Sequence, residues 1–376
     1  MHLVDTTMFY AREAGGVKRY LLAKHGWLTQ HTHMQHTMVL PGPRDGESSS
    51  GIVTLSSPTV PLTNGYRFPL ALNRWRQKLI SLSPNLIEAG DPYVPGWAAL
   101  QAGQQLGIPV VSFYHSDLPR LVGKRLGHTA EAACAAYVRR LYREFDAVLA
   151  PSNYIRNKLQ ALGIEKAIRQ PLGVDVDLFH PSQRQQDFRR QLGLSADTRL
   201  LVFAGRFARE KNIPVLLQAF LRLGHPYHLL LIGGGQRIPP QTNVTVYPYQ
   251  AGGLELARII ASCDALVHAG DQETFGLVAL EAMACGLPVV AVNDGAISEL
   301  VSPATGILVP PQNSAAFAEA IAALYTQDIV QLGLQARRAI EDKYSWKTVM
   351  QSLIATYAQQ LAPNRSSAKQ EMYATV

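Results

Sequence analysis

Two carboxylates eight residues apart mark the string Glu273-Thr274-Phe275-Gly276-Leu277-Val278-Ala279-Leu280-Glu281-Ala282-Met283-Ala284-Cys285-Gly286-Leu287-Pro288-Val289-Val290. A carboxylate accepts several hydrogen bonds at once, so Glu273 and Glu281 suit two polyols, such as a sugar ring and a ribose. A helix opening near Phe275 would carry both on about the same side, because their spacing is a little over two turns. Backbone amides at such a helix start form a ready anion or hydroxyl site, and Gly276 leaves room for a ligand to approach. Two glutamates on a helix are ordinarily a solvated face. Here they interrupt a strongly apolar stretch, where a carboxylate without partners is costly.

Cations appear upstream, in Phe203-Ala204-Gly205-Arg206-Phe207-Ala208-Arg209-Glu210-Lys211-Asn212. Gly205 lets a strand turn, and Arg206 and Lys211 then offer a planar fork and a point charge to a diphosphate. In isolation such a segment reads as a solvated loop. The turn Ala14-Gly15-Gly16-Val17 lies between the first strand and first helix, where backbone amides can meet a phosphate. His115 ends the run Val110-Val111-Ser112-Phe113-Tyr114 and precedes Ser116-Asp117-Leu118-Pro119-Arg120. Ligands of open α/β folds bind beyond the carboxyl ends of strands, so this polar cluster points to a site, although a lone histidine is more often structural.

Three motifs are discounted. Asp175-Val176-Asp177 has an Asp-x-Asp metal pattern but sits inside Leu172–Pro181, which resembles the interdomain segment of GT-B enzymes. His31-Thr32-His33-Met34-Gln35-His36 offers ligand types with no accompanying carboxylate or cysteine. Gly233-Gly234-Gly235 is followed by Pro239-Pro240, which denies it the helix of a dinucleotide fingerprint. No metal is expected, and no cofactor.

The elements that must position these residues alternate. Strand candidates are 36–40, 85–89, 109–113 and 147–150, then 199–205, 228–232, 244–246, 265–267 and 288–292. Helical segments at 17–29, 95–106, 128–145 and 153–162, then 212–223, 253–262, 276–285 and 314–325, separate most of them. Such alternation implies α/β architecture with parallel sheets. A chain of 376 residues, 47% hydrophobic, exceeds one core. The pattern pauses at Gly173–Pro181, giving domains 1–175 and 176–361, with a terminal amphipathic helix at 345–361 capped by Ser345. Residues 362–376 are expected to be disordered, and the glycosylation acceptor pattern Asn364-Arg365-Ser366 there is discounted, because a chain with no secretion signal would not meet that machinery.

The Glu273–Val290 string resembles the signature of the retaining GT-B-fold glycosyltransferases of family 4 (glycosyl transferases group 1): Glu, seven residues, Glu, then Ala-Met-Ala-x-Gly-x-Pro-Val. The Gly-Arg…Lys segment, the Gly-Gly turn, the His-Ser-Asp-x-Pro segment and the interdomain string Leu172–Pro181 resemble the family as well. The likeness is strong in the second half and loose in the first. It implies two Rossmann-like domains with parallel sheets facing a central cleft, and a C-terminal helix crossing back to the N-terminal domain. It assigns catalysis to His115, Arg206, Lys211 and Glu273, with Glu273 on the donor sugar, and donor binding to Gly15, Gly16, Phe275, Gly276, Leu277 and Glu281, with Glu281 on the ribose. It implies metal-independent transfer of a hexose from a nucleotide diphosphate sugar to an acceptor hydroxyl with retained configuration, the leaving phosphate taking the acceptor's proton as the domains close. GDP-mannose and UDP-glucose lead as donors, ahead of UDP-galactose and UDP-N-acetylglucosamine. The rival readings are a nucleotide-sugar 2-epimerase of the same fold and a non-catalytic sugar-nucleotide-binding protein.

The acceptor side is less legible. Residues 1–180 hold 19 Lys+Arg against 13 Asp+Glu, which is +6 of the chain's +7. That surplus suits an anionic membrane or a phosphate-bearing acceptor, and equally a merely basic surface. The segment 70–82, with Arg74-Trp75-Arg76, reads either as a helix lying on an anionic membrane with Trp75 at the interface or as a surface helix with one core-facing side. Cys134, Cys263 and Cys285 are far apart and suggest no disulfide framework. With no signal peptide and no long apolar run in view, a cytoplasmic protein is expected, at most peripheral at the inner membrane face, with a glycan or lipid-linked acceptor as partner and no nucleic acid.

Overall fold

A computed structural model describes residues 1–11, 15–59, 65–250 and 253–362. The expected tail from Pro363 onward, including Asn364, lies outside them, as does Ala14 of the glycine turn. The chain divides into two compact units. One comprises 1–150, 156–170 and 350 onward, the other 151–155 and 171–349.

The first unit runs β1 (His2–Thr6), α1 (Gly16–His31), β2 (Gln35–Gly42), β3 (Gly46–Glu47), β4 (Ile52–Ser56), α2 (Leu72–Ser81), β5 (Leu86–Ala89), α3 (Val94–Leu106), β6 (Val110–Phe113), α4 (Leu118–Leu126), α5 (His128–Tyr142), β7 (Ala147–Ala150), α6 (Asn153–Ala161) and β8 (Ala167–Arg169). Its eight strands are ordered β3-β4-β2-β1-β5-β6-β7-β8, parallel except for β3 on β4. The chain builds outward from β1 to β4, then returns to add β5 on the other side of β1, so its topological switch lies between β1 and β5. Ligand sites of open α/β sheets sit beyond the carboxyl ends of strands at such a point.

The second unit runs α7 (Phe188–Gln191), β9 (Arg199–Ala204), α8 (Ile213–Leu223), β10 (Tyr227–Ile232), β11 (Val244–Tyr247), α9 (Leu254–Ala261), β12 (Ala265–His268), α10 (Leu277–Ala284), β13 (Val289–Val292), β14 (Gly306–Val309), α11 (Ser314–Leu324), α12 (Ile329–Tyr344) and α13 (Trp346–Leu361). Its parallel sheet is ordered β11-β10-β9-β12-β13-β14, which puts the switch between β9 and β12. These strands read as continuous apolar runs because helices cover both faces of a parallel sheet: β9, β12 and β13 are buried at all but one of their positions. Helix α8 buries Ile213, Leu216, Leu217 and Phe220 at helical spacing. Truncating Phe220 there would cost about 3–5 kcal/mol.

Helix α13 starts in the second unit and belongs from Met350 onward to the first. Ser345 Oγ receives the Thr348 amide at 3.4 Å, the expected cap. Gly173 is required at the start of the Leu172–Pro181 segment, because a Cβ there would lie 2.4 Å from the Trp346 ring. Asp175 Oδ1 accepts from the amides of Asp177 (3.1 Å) and Leu178 (2.9 Å), so it holds a turn.

The two readings of segment 70–82 separate here. Residues 72–81 are helical, but Trp75 is not an interfacial residue: it is 2% exposed and its indole donates to Thr6 Oγ1 at 2.6 Å. The cations beside it, Arg74 and Lys78, pair with Asp45 and Glu47. The helix is a surface helix with one side in the core. No described helix is long and apolar enough to cross a membrane.

Candidate active site

At the switch of the second unit, the loop after β9 carries Arg206 and Lys211, and the loop after β12 carries Glu273. Lys211 Nζ pairs with Glu273 Oε1, and His268 Nε2, at the end of β12, lies 3.1 Å from the same oxygen. The Gly270 amide donates to His268 Nδ1 at 3.2 Å, which leaves the ring proton on Nε2, facing the carboxylate. Burial alone would raise the Glu273 carboxyl, but the Lys211 charge and the His268 hydrogen bond hold it well below the usual range. Side-chain exposures of 19% for Lys211 and 16% for Glu273 keep the pair within reach of a ligand.

Glycines make this approach feasible. A Cβ on Gly270 would lie 2.7 Å from the His268 ring and 3.3 Å from the Lys211 Cα, so only glycine lets the two loops close on one another. On the other flank, a Cβ on Gly233 would lie 1.9 Å from the Gly205 carbonyl oxygen. The Phe207 amide donates to Gly234 at 2.7 Å, and the Gln236 amide donates to Phe207 at 2.8 Å. The triglycine rejected above as a dinucleotide fingerprint is therefore a backbone clasp that fixes the Arg206 loop. Arg206 itself is 56% exposed, 3.7 Å from Glu210.

Helix α10 begins one residue later than the sequence suggested. Gly276 is its N-cap in the left-handed region (φ 98°, ψ 53°) and Leu277 its first residue, so Glu273 stands in the preceding turn rather than on the helix. The unpaired amides of a first helical turn attract anions and hydroxyl oxygens. Phe275 is buried against Tyr344, with ring centroids 6.0 Å apart. Glu281, 5% exposed, lies within α10. The Glu273 carbonyl accepts from Ala296 at 2.9 Å, which ties this turn to the loop after β13.

In the first unit, Gly15 is the N-cap of α1 and Gly16 its first residue, beyond the carboxyl end of β1. Gly15 has φ −80°, and among the described residues nothing lies within 4 Å of a Cβ placed there. His115 follows β6, stacked on Phe113 (4.4 Å, 9°) and tilted against Tyr20 at 5.4 Å. Burial and the Lys24 charge push its imidazole down to about 3, so it is neutral at physiological pH and can donate or accept a hydrogen bond. Asp91, after β5, is buried and accepts from the amides of Met8 (2.5 Å) and Tyr93 (2.9 Å). Its burial outweighs those bonds and raises it to about 6.

Beneath these loops lies a charge cluster with no local sequence signal. Lys24, fully buried on α1, is 2.9 Å from both Asp5 on β1 and Glu88 on β5. Glu88 also receives the Tyr20 hydroxyl at 3.1 Å and the Tyr357 hydroxyl of α13. His36 Nε2 is 3.2 Å from Asp5, and His36 faces His25 at 3.0 Å, so the histidine-rich string is split among other partners. Burial would raise Asp5, but the Lys24 and His36 charges hold it at about 2. Among the described residues no group of three or more His, Cys, Asp or Glu side chains is placed to hold a metal ion.

An opening of about 630 Å³ in the second unit is lined by Arg184, Arg189, Arg199, Asp264 and Tyr325. Arg184 and Arg189 both pair with Asp264, and Arg199 stacks on Tyr325 at 4.5 Å. It lies at the amino ends of β9 and β12, opposite the end where α/β ligands bind, and its charges already answer one another.

Two family models match the chain: Glycosyltransferase Family 4 over residues 14–178 and Glycosyl transferases group 1 over residues 184–345. A GDP-mannose-dependent alpha-mannosyltransferase of Mycobacterium tuberculosis is 34% identical over 298 residues, 77% of this chain and 77% of the relative. A GDP-mannose-dependent alpha-(1-6)-phosphatidylinositol dimannoside mannosyltransferase of the same species is 27% identical over 95% of this chain and 96% of its own. Among solved structures, a sucrose-phosphate synthase from Thermosynechococcus elongatus aligns with a TM-score of 0.77 at 24% identity, covering 96% of this chain and 98% of that one. That likeness identifies the fold as GT-B. The chain belongs to the glycosyl transferases of group 1, family 4.

Proposed function

We propose that the protein is a retaining, metal-independent hexosyltransferase that moves mannose from GDP-mannose to a hydroxyl of a glycolipid or lipid-linked saccharide at the cytoplasmic face of a membrane. The nucleotide-sugar glycosyltransferase class follows from its relatives. The mannosyl donor rests on two relatives named for GDP-mannose and the glycolipid acceptor on the one named for phosphatidylinositol dimannoside, with UDP-glucose the second donor choice.

The observation that carries the reading is the meeting of Lys211 and Glu273 at the β9/β12 switch, beside the α10 N-terminus. In this reading the diphosphate takes Arg206 and Lys211, whose charges stabilise the leaving phosphate as the glycosidic bond breaks. Glu273 and the amides after Phe275, Gly276 and Leu277 bind the sugar hydroxyls, and Glu281 binds the ribose. The bound hydroxyls take over part of the Glu273 carboxylate from Lys211, freeing the cation for phosphate. Neutral His115 holds a sugar hydroxyl, and the amides of Gly15 and Gly16 meet phosphate. The acceptor attacks from the face the phosphate leaves, and a phosphate oxygen takes its proton.

A panel of nucleotide sugars, followed by thermal shift and by nucleoside diphosphate release with and without a lipid extract, tests this. GDP-mannose should stabilise the protein, lipid should stimulate GDP release, and the product should keep the donor's α configuration by NMR. Turnover of the donor to a C2-inverted sugar without acceptor would establish the epimerase instead, and absence of binding to any donor would remove the enzymatic reading.

A further inference from the structure

Five cations, Arg120, Lys124, Arg125, Arg139 and Arg140, and one anion, Glu131, lie within the helical hairpin 118–142. Its net +4 (5 − 1) is two thirds of the +6 (19 − 13) carried by residues 1–180. The basic surplus is therefore not spread over the surface. The anion lies against α4: the helices pack so closely that a Cβ on Gly123 would lie 2.3 Å from a Glu131 carboxylate oxygen, and the Glu131 side chain keeps 38% exposure beside His128.

The tip is apolar as well as basic. Residues 124–129 are all exposed, and Leu126 between Arg125 and Gly127 is 74% exposed. A leucine exposed to water at the end of a helical hairpin, flanked by Lys124, Arg125 and His128, is the arrangement that inserts into the acyl boundary while its cations meet lipid phosphates. A soluble polyanion would use the cations and gain nothing from the leucine. The root of the hairpin adjoins His115. Asp117, two residues after His115, caps α4 by accepting the Arg120 amide at 3.4 Å and is held by Lys158. The nine residues of α4 span about 13 Å at 1.5 Å per residue, a distance that a glycolipid headgroup bridges.

We propose that the α4–α5 tip, with Leu126 as its apolar anchor and Lys124 and Arg125 as its phosphate contacts, docks the protein on an anionic lipid bilayer and sets the acceptor headgroup at the height of His115. This rests on the glycolipid-acceptor reading above and moves the membrane surface from α2, whose Trp75 is buried, to a different element.

Co-sedimentation with phosphatidylcholine vesicles, with and without about one-third phosphatidylglycerol, tests it. The wild type should bind the anionic vesicles and be released by high salt. Leu126→Asp and the double variant Lys124→Glu/Arg125→Glu should each weaken binding about tenfold, with unchanged far-UV CD and thermal midpoint. Leu70→Asp, at another exposed leucine (71%), should bind like the wild type. On immobilised heparin, Leu126→Asp should be retained like the wild type while the charge variant elutes early. Vesicle binding that survives both tip variants overturns the assignment of the surface and leaves the lipid reading intact. Vesicle binding lost only in the charge variant makes the tip a site for soluble polyanions. A wild type that ignores all vesicles yet transfers sugar to a water-soluble acceptor overturns the lipid reading and this surface together.

Discussion

The first unit seals a charge cluster against its sheet, and the second sets an ion pair in the loops at the carboxyl ends of its central strands. Lys24, Asp5 and Glu88 have side-chain exposures of 0–2%, whereas Lys211 and Glu273 retain 19% and 16%. Both sets are a lysine held by carboxylates, and their physics differs through water. A sealed ion cluster loses several kcal/mol of solvation per ion and survives only with every partner in place. It is architecture, here uniting α1, β1, β5 and α13. A pair at the rim can trade its partner for a substrate, so its charges are available to chemistry.

The sharpest way to break this comparison is Lys24→Met. If the cluster is architectural, the variant takes the shared cation from two buried carboxylates and loses about 3–5 kcal/mol in denaturant titration, while Lys24→Met/Asp5→Asn/Glu88→Gln recovers most of it. A neutral single variant would mean that water reaches Lys24. Next is Lys211→Ala, which should lower turnover about 10²–10³-fold and stability by only about 1 kcal/mol. The reverse, a stable-fold defect with normal turnover, would make the rim pair structural like the buried cluster.

The carboxylates sharpen the contrast through pH. Asp91 is raised to about 6, so the folded state binds its proton more tightly than the unfolded one. Its contribution is present below about pH 4, is lost as pH rises through about 6, and amounts to about 3 kcal/mol for two units. Glu273 has the opposite sign: its stabilisation is present above the unfolded value and is lost as pH falls below it. Asp91→Asn should flatten the first trend, so the wild-type minus variant stability should fall between pH 4 and pH 7 in urea titrations. The two backbone bonds weakened by asparagine shift that difference equally at every pH and leave its slope.

Most of the fold was legible. The strands around the switches announced themselves as apolar runs, and the family resemblance and fold are shown by the comparisons. What escaped was short or non-local. β4, β8 and β14 have three to five residues each. Helix α4 hid behind Pro119 and Gly123, although proline is at home in a first turn. Helix α12 was readable in retrospect from Leu332, Ala336, Ile340 and Tyr344, each four apart. At the candidate site, Arg206, Lys211 and Glu273 were singled out through the family resemblance, whereas His268 lay just past the 265–267 strand candidate with no reading of its own, and its pairing with Glu273 appears only once the β12 loop turns. The Lys24 cluster was invisible for a stronger reason: Lys24 and Glu88 are 64 residues apart and Tyr357 and Glu88 are 269 apart. No window of sequence contains such a contact.

Smaller effects separate ligand contact from packing inside the second unit. Glu281→Ala should raise the KM for donor about 30-fold, for a lost charge-assisted hydrogen bond of about 2 kcal/mol. A matching rise for the bare nucleoside diphosphate would tie it to the ribose; a rise confined to the sugar nucleotide would move the residue to the hexose.

Gly276→Ala should have the smallest effect and distinguishes two reasons for a glycine. A Cβ there meets nothing nearer than 3.5 Å, so the protein has room for it, but φ 98° is costly for an L side chain, about 1–2 kcal/mol. If glycine serves only the backbone, stability falls by that amount while donor affinity per folded molecule is unchanged. If it also clears the path to the α10 amides, the methyl group stands in the donor's way, and affinity falls further than stability. Measuring the thermal midpoint and the donor Kd on one preparation separates these outcomes, because strain acts on the free protein and steric exclusion acts only when the donor is bound.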